Sequence, residues 1–401
     1  MTKEEALSTW GGGPNNASKF GALLLVSITS VWLAYSGWSR GNTAPLWDLD
    51  VYLLAAASES VGGSPYALSS GLSFVYHPYV YFLFKSLERV GVLEATAFTF
   101  YAASSVYFFF WLHRYVRIIQ LVISPIQLLL FVLLPAFALG GTGLTAFLSG
   151  NLTTFLHLAI LGQFFRCLDE KTRRLNATVT WSVCIFLAAL CLFSLVKPYL
   201  ILYLALLVFI LPARTAAGLG VFTSITVCFV WFSVLLFDWQ LYRLFLLSLA
   251  SQTLEKRDLG FSVFGVVSRH HTYQVATLAH LVFASSVLLG LAVFIKRGLS
   301  KSTGLAPHLA PLFVVLIALV NPRMKEYDFV ICIIFLLLFL ATTRPLIYPV
   351  IASIGVLLGG GGWSFSLLAL IFLSFFVPGG LKSFALKYSE TFAAKTLHRH
   401  N

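Results

Sequence analysis

Two carboxylates, Asp48 and Asp50, sit between Trp47 and Tyr52 in the stretch PLWDLDVYLLAAASESVGGSPY, residues 45–66. The chain holds only 15 Asp and Glu against 27 Lys and Arg, so this stretch, with Glu59 and no basic residue, reverses the overall charge locally. A carboxylate close to an apolar phase is costly unless something uses or neutralises it. If residues 49–58 are helical, Asp48 lies at the helix start. The free N–H groups there favour its ionised form, which can take a proton as a base. The plainer alternative is a pair of solvated loop acids, one of them capping a helix that begins near Val51.

Four further polar groups interrupt the apolar chain. FVYHPY, Phe74 to Tyr79, places His77 before Pro78 and so in extended backbone; an interfacial hydrogen bond is its plain role and substrate contact its functional one. SGNLTT, Ser149 to Thr154, opens an apolar run; Ser149 suits a helix cap, which leaves Asn151 as a candidate binding group. LVKPYL sets Lys197 at a helix break, where snorkelling and an anionic partner are the two readings. NPRMKEYD, residues 321–328, turns at Asn321-Pro322 and crowds Arg323, Lys325, Glu326 and Asp328. Mutual ion pairing accounts for all four; a phosphate gripped by Arg323 and Lys325 is the sharper reading. Arg269, His270 and His271 are consecutive, and adjacent histidines do not share a helix face, so no zinc site is expected there.

The elements that must position these groups are membrane helices. Of 401 residues, 59% are hydrophobic and 10% charged, against roughly 25% charged in soluble domains. The net charge of +12 does not indicate nucleic acid, because the excess lies in short connectors between apolar runs. Candidate spans are 20–38, 94–112, 120–137, 151–167, 178–195, 199–211, 216–236, 276–296, 306–320, 328–342, 346–358 and 363–377. Several are shorter than the roughly 20 residues of a crossing, so neighbouring runs can be one broken helix. Residues 78–92 are either a short span or the end of the preceding loop.

The run 20–38 reads as a retained first helix rather than a signal peptide. Cys167, Cys184, Cys191, Cys228 and Cys332 show no CxxC spacing and read as buried free thiols.

The expected architecture is an all-α polytopic bundle, one integral membrane domain over 1–401. Residues 1–19 form a cytoplasmic tail, 39–77 and 238–275 two long extracytoplasmic loops, and 378–401 a basic cytoplasmic tail. With the N-terminus inside, the connectors holding Arg114, Arg117, Arg166, Lys171, Arg173, Arg174, Arg214, Lys296, Arg297, Lys301 and Arg344 all fall on the cytoplasmic face. Asp48, His77, Asn151, Lys197, the 238–275 segment and residues 321–328 then share the opposite face. No P-loop, GxGxxG, HExxH or GxSxG is present, which removes nucleotide-driven and common hydrolytic chemistry.

An acidic D-x-x-V-Y after the first apolar run, then GGSPY, then an aromatic-proline turn, resembles the polytopic GT-C glycosyltransferases. It is most similar to glycosyltransferase family eighty-seven, the polyprenol-phosphate-mannose-dependent α-mannosyltransferases. SGNLTT resembles that family's GQ-x-N helix start, VKPYL its lysine-proline break, and NPRMKEYD a late polar turn. The chain departs from the pattern with His77 in place of a proline, Asn151 in place of Gln, and no paired histidine in the late turn.

The resemblance implies inverting transfer of a sugar, mannose first, from a polyprenyl-phosphate donor to a glycolipid or glycan on the extracytoplasmic face of a bacterial or archaeal plasma membrane. Asp48 matches the catalytic aspartate, with Asp50 the second choice. Lys197, Arg323 and Lys325 are expected at the donor phosphate, Arg269 in reserve, and Tyr52, His77, Asn151 and His271 at the substrate. No cofactor is implied; a divalent metal is compatible with the reaction but not indicated. From a different class, a secondary transporter or lipid flippase is the competing expectation. It predicts two-fold internal symmetry and charges near the midplane.

Overall fold

The computed structural model describes residues 46–58, 63–66, 74–119, 125–129, 149–173, 181–254, 260, 262–299, 307–322, 324–325, 328, 330–335 and 338. The candidate spans 20–38, 346–358 and 363–377, most of 120–137, both tails and Arg323 lie outside them. Among the described residues every regular element is helical: α1 Trp47–Ala57, α2 Pro78–Arg89, α3 Leu93–Ile118, α4 Pro125–Leu128, α5 Leu152–Arg173, α6 Trp181–Val196, a 3-10 helix Pro198–Phe209, α7 Ala213–Phe237, α8 Trp239–Leu254, α9 Val263–Ser268, α10 Tyr273–Leu299, a 3-10 turn Pro307–Leu309 and α11 Ala310–Leu319. Three helices, Leu93–Ile118, Ala213–Phe237 and Tyr273–Val293, are long and apolar enough to cross a membrane.

Side-chain hydrogen bonds between helices fix their directions. Near the start of α3, Tyr101 donates to the Gly150 carbonyl just before α5 (2.7 Å). Near their ends Arg114 reaches Asp169 (3.4 Å). The two helices therefore run parallel. α6 returns antiparallel, because Gln163 of α5 donates to the Ser182 carbonyl at the start of α6 (2.7 Å). The 3-10 helix runs with α5 again: Tyr199 meets His157 at one end (3.0 Å), and Lys171 donates to the Phe209 carbonyl at the other (2.8 Å). At the far end of α7, Trp231 donates to Ser194 (3.1 Å). Tyr115 donates to Pro307 (2.8 Å), which sets the start of α11 beside the end of α3.

The bundle thus has two poles. One gathers the starts of α1, α5 and the 3-10 helix and the ends of α6, α7 and α11. The other gathers Arg114, Arg117, Arg166, Lys171, Arg173 and Arg214, with Asp169 bridged to Arg114 and Arg173 (2.9 Å to the latter) and Glu170 to Arg166 (3.1 Å). Of the basic connectors that the charge pattern places on one face, these six share one pole; Arg174, Lys301 and Arg344 lie outside the described residues.

The break at Lys197 is as the Lys-Pro pair requires. Lys197 is extended (φ −140°, ψ 102°), and Pro198 takes the first helical position, where its missing N–H costs nothing. The chain then winds into a 3-10 helix of 12 residues, where runs beyond three or four residues are uncommon. α2 also has 12 residues. That is about 18 Å of helix, too short to cross roughly 30 Å of hydrocarbon, so residues 78–89 do not form a full span.

The main core joins α3, α5, α6, the 3-10 helix, α11, residues 330–335 and Leu338 through Phe108, Phe164, Phe165, Phe186, Phe209 and Phe313. α5 approaches α3 closely at Gly162, where an added Cβ would lie 2.7 Å from the Tyr107 ring. A second, aromatic cluster of Tyr52, Tyr66, Phe74, Tyr81, Phe84 and Phe245 packs over the pole that carries α1. On α7 an outward stripe of Phe222, Ile225, Phe229, Phe232 and Leu236 is 57–80% exposed. A face of this kind is what lipid contact requires and what water does not favour.

Candidate active site at the acidic pole

α1 begins at Trp47, two residues before the helix expected over 49–58 and one turn before the alternative start near Val51. Leu46 precedes it in a left-handed conformation (φ 65°, ψ 25°), and Asp48 and Asp50 both fall in the first turn. Left-handed backbone is unfavourable for leucine by about 1–2 kcal/mol, and such strain clusters at working sites. The turn Ser149–Asn151 explains how it is held. The Asp48 N–H donates to the Ser149 carbonyl (2.9 Å) rather than along its own helix. Gly150, itself at φ 64°, packs so closely on Leu46 that a Cβ would sit 3.1 Å from its side chain.

Asn151 joins the two turns. Its Oδ1 accepts from the Thr153 N–H (2.9 Å), which caps α5, and its Nδ2 donates to Asp48 Oδ2 (2.8 Å). The capping role therefore belongs to Asn151; the Ser149 hydroxyl accepts from the Asn151 N–H (3.1 Å). Burial pushes the Asp48 carboxyl above the ordinary carboxylate value. Its hydrogen bond from Asn151, the fields of Lys197 and Lys325, and a bond with Ser149 pull the other way without cancelling it. A carboxylate that is hard to ionise, yet supported by a donor and two cations, suits a general base.

Tyr52 stands one turn along α1 from Asp48. Its hydroxyl accepts from the Leu152 N–H (3.2 Å) and bonds the Tyr76 hydroxyl (2.9 Å). Burial keeps Tyr52 a phenol, so it orders the site rather than acting as a base. Lys197 Nζ lies over the Tyr76 ring, 5.4 Å from its centroid. Asp48, Asn151, Tyr52, Tyr76 and Lys197 are thus continuous, with Lys325 in electrostatic reach.

The other expected residues are placed differently. Asp50 is exposed on α1. His77 is fully buried, with both ring nitrogens engaged: Nδ1 accepts from the Tyr79 N–H (3.3 Å), which leaves Nε2–H to donate to the Trp231 carbonyl (3.1 Å). Burial lowers its pKa below the ordinary histidine value, against the opposing pull of the Trp231 bond, in keeping with a neutral ring that ties α2 to α7. Arg269 and His271 are exposed or nearly so just beyond α9, with Arg269 donating to the Gly260 carbonyl (3.3 Å). Arg323 lies outside the described residues.

The segment expected as the second long loop is mostly helical, α8 and α9. It docks on Pro322 and Met324, where the Ser262 hydroxyl donates to the Pro322 carbonyl and Gly260 abuts the Met324 backbone.

A second polar cluster goes beyond the residues that the sequence singles out as a set. Asp328, 2% exposed, accepts from the Tyr199 hydroxyl (2.6 Å), the Asn321 amide (3.2 Å) and the Lys325 N–H (2.9 Å). His157, 1% exposed, places Nε2 3.0 Å from the Tyr199 hydroxyl and 3.4 Å from Asp328, and Nδ1 2.8 Å from the Tyr203 hydroxyl. The available signal is His157 itself, an ionisable residue inside an apolar run, which marks a site by default. Among the described residues no group of three His, Cys, Asp or Glu is arranged to hold a metal ion. No family model, no curated protein and no solved structure matches the chain.

Proposed function

We propose that the chain is an inverting glycosyltransferase with Asp48 as its general base. It moves a sugar, mannose by the resemblance, from a polyprenyl-phosphate donor to a glycolipid or glycan acceptor. The observation that carries this reading is a half-buried carboxylate held by Asn151 in the field of Lys197 and Lys325, at the pole opposite the basic residues. The acceptor hydroxyl gives its proton to Asp48 while its oxygen attacks the anomeric carbon. The bond from that carbon to the phosphate oxygen breaks, and its electron pair leaves with the phosphate. The leaving group is already a stable anion, so cations suffice and no general acid is needed. Attack opposite the leaving group inverts the anomeric centre.

About twelve spans, a cytoplasmic N-terminus and an extracytoplasmic site belong to the same proposal, because the positive-inside rule puts the arginine-rich pole in the cytoplasm. A lipid donor then reaches the site from within the bilayer.

The test is incubation of purified protein with radiolabelled polyprenyl-phosphate sugars and membrane lipids, with Asp48→Asn as control. Transfer by the wild type and its loss in the variant, with donor binding kept, are expected. Full transfer by Asp48→Asn removes Asp48 as the base. One observation favours a second reading, a secondary transporter or lipid flippase: the buried His157–Asp328 pair, since ionisable pairs within membranes mark substrate and ion paths. Donor-independent solute or lipid movement in proteoliposomes identifies that activity.

A further inference from the structure

We infer that Asp328 is a positioning residue that sets the two cationic arms of the site, Lys197 and Lys325. This rests on the glycosyltransferase reading and goes beyond it, because the hydrogen bonds of Asp328 run to the chain that carries the cations rather than to Asp48. The carboxylate of Asp328 joins three separate pieces of chain. Its Oδ1 accepts from Tyr199, two residues beyond Lys197 and in the first turn of the 3-10 helix. Its Oδ2 accepts from the Asn321 side chain and from the backbone N–H of Lys325 itself. The third piece is α5, reached through His157.

Donor and acceptor assignments follow from the geometry. Tyr199 has one proton and donates it to Asp328, so its oxygen accepts from His157 Nε2–H. His157 Nδ1 then faces the Tyr203 hydroxyl, four residues further along the 3-10 helix. The cluster lies beneath the pole rather than at its surface. α5 supplies the common frame. Asn151, which caps its start, holds Asp48, and His157, within its second turn, holds Asp328. The base and both cations are thereby referred to one rigid helix. A buried carboxylate needs compensation on this scale; drawing part of it from the backbone of Lys325 fixes where that side chain begins.

The test is a double-mutant cycle read by binding of polyprenyl phosphate to purified protein in detergent. Lys325→Ala and Asp328→Asn are each expected to weaken binding by roughly ten-fold. The double variant is expected to lose about ten-fold rather than a hundred-fold, because residues acting as one unit are not additive. Donor KM should rise in parallel, while Glu94→Gln, at an exposed position in the first turn of α3, leaves binding unchanged. A purely structural role lowers thermal stability and multiplies independently with Lys325→Ala, and that result overturns the inference. So does unchanged binding by folded Asp328→Asn. If Asp328→Asn does not yield folded protein, Tyr199→Phe, which removes only the hydroxyl, takes its place in the cycle: non-additive loss supports the inference and multiplicative loss overturns it. Failure of the wild type to bind polyprenyl phosphate overturns the glycosyltransferase reading, and the inference falls with it. Wild-type binding that depends on Lys197 and Lys325 but combines multiplicatively with Asp328→Asn overturns the inference alone.

Discussion

Asn151 does two things with one amide, and the two can be separated. Asn151→Ser keeps a good helix cap for α5 but removes the Nδ2–H that reaches Asp48 Oδ2 at 2.8 Å. A hydrogen bond from a neutral donor to a charged carboxylate contributes about 1.5–3 kcal/mol. Losing it disfavours the ionised form of Asp48, which burial already disfavours. The base works only when ionised, so the acidic limb of the rate profile moves to higher pH. Below that limb the ionised fraction falls roughly ten- to hundred-fold relative to wild type, and above it the two rates converge.

Asn151→Asp shows the effect more strongly. It sets a second carboxylate against the first, and one of the two must keep a proton. The assay is the initial rate of sugar transfer across a pH series at saturating donor, with thermal unfolding as a check that the cap is intact. A loss of equal proportion at every pH refutes the reasoning, because it would mean that Asn151 acts through folding or binding and not through the charge on Asp48.

The two acids of the opening motif are expected to part company: Asp48→Asn loses transfer by about 10²–10⁴-fold, the usual range for general-base catalysis, and exposed Asp50→Asn stays close to wild type. With the native cysteines replaced by serine, Asp50→Cys should react with a membrane-impermeant maleimide added outside intact cells and Arg214→Cys should not; the reverse pattern inverts the topology. Gly260→Ala is expected to lose about 1–3 kcal/mol of stability, measured by thermal unfolding, because φ 67° is unfavourable for alanine and its Cβ would strike the Met324 backbone. His77 is neutral when folded, with a pKa lowered by burial. Its share of stability is full above the ordinary value of about 6.5 and is lost as pH falls through it toward the folded value. His77→Gln should flatten that part of the unfolding profile.

Local chemistry is legible where one residue dictates its own backbone. Lys197 and Pro198 announce a helix break, and the chain breaks there. The start of α1 is not legible in the same way, because the residue before it is a left-handed leucine, which no propensity favours. The segment 238–275 reads as a loop because WQLYRLFLLSLASQTL carries polar residues throughout. Yet Tyr242, Phe245 and Ser248 are buried at intervals of three, an amphipathic face laid across the pole rather than a crossing. His157 and Asp328 are out of reach for another reason. They lie 171 residues apart, and nothing near either names the other. Only the parallel course of α5 and the 3-10 helix, with Asn321, Lys325 and Asp328 at the same pole, brings them to 3.4 Å.

That geometry also explains why the acids at the pole opposite the arginines are held one by one. A bundle that alternates its direction must return each connector to one of two ends. The basic connectors return to one, where Asp169 and Glu170 sit in ion pairs. The other end has fewer cations, so an acid placed there is not neutralised by its surroundings and must be held individually. Asp48 is held by an amide and Asp328 by a phenol, an amide and a backbone N–H. Of the two, Asp328 is sealed, and its oxygens are committed to positioning the chain around it. Asp48 remains half-buried and reluctant to ionise, with Lys197 and Lys325 acting on it through space. A sealed carboxylate organises, and a half-open one can exchange a proton with a bound hydroxyl. The division of labour proposed for the two acids follows their burial.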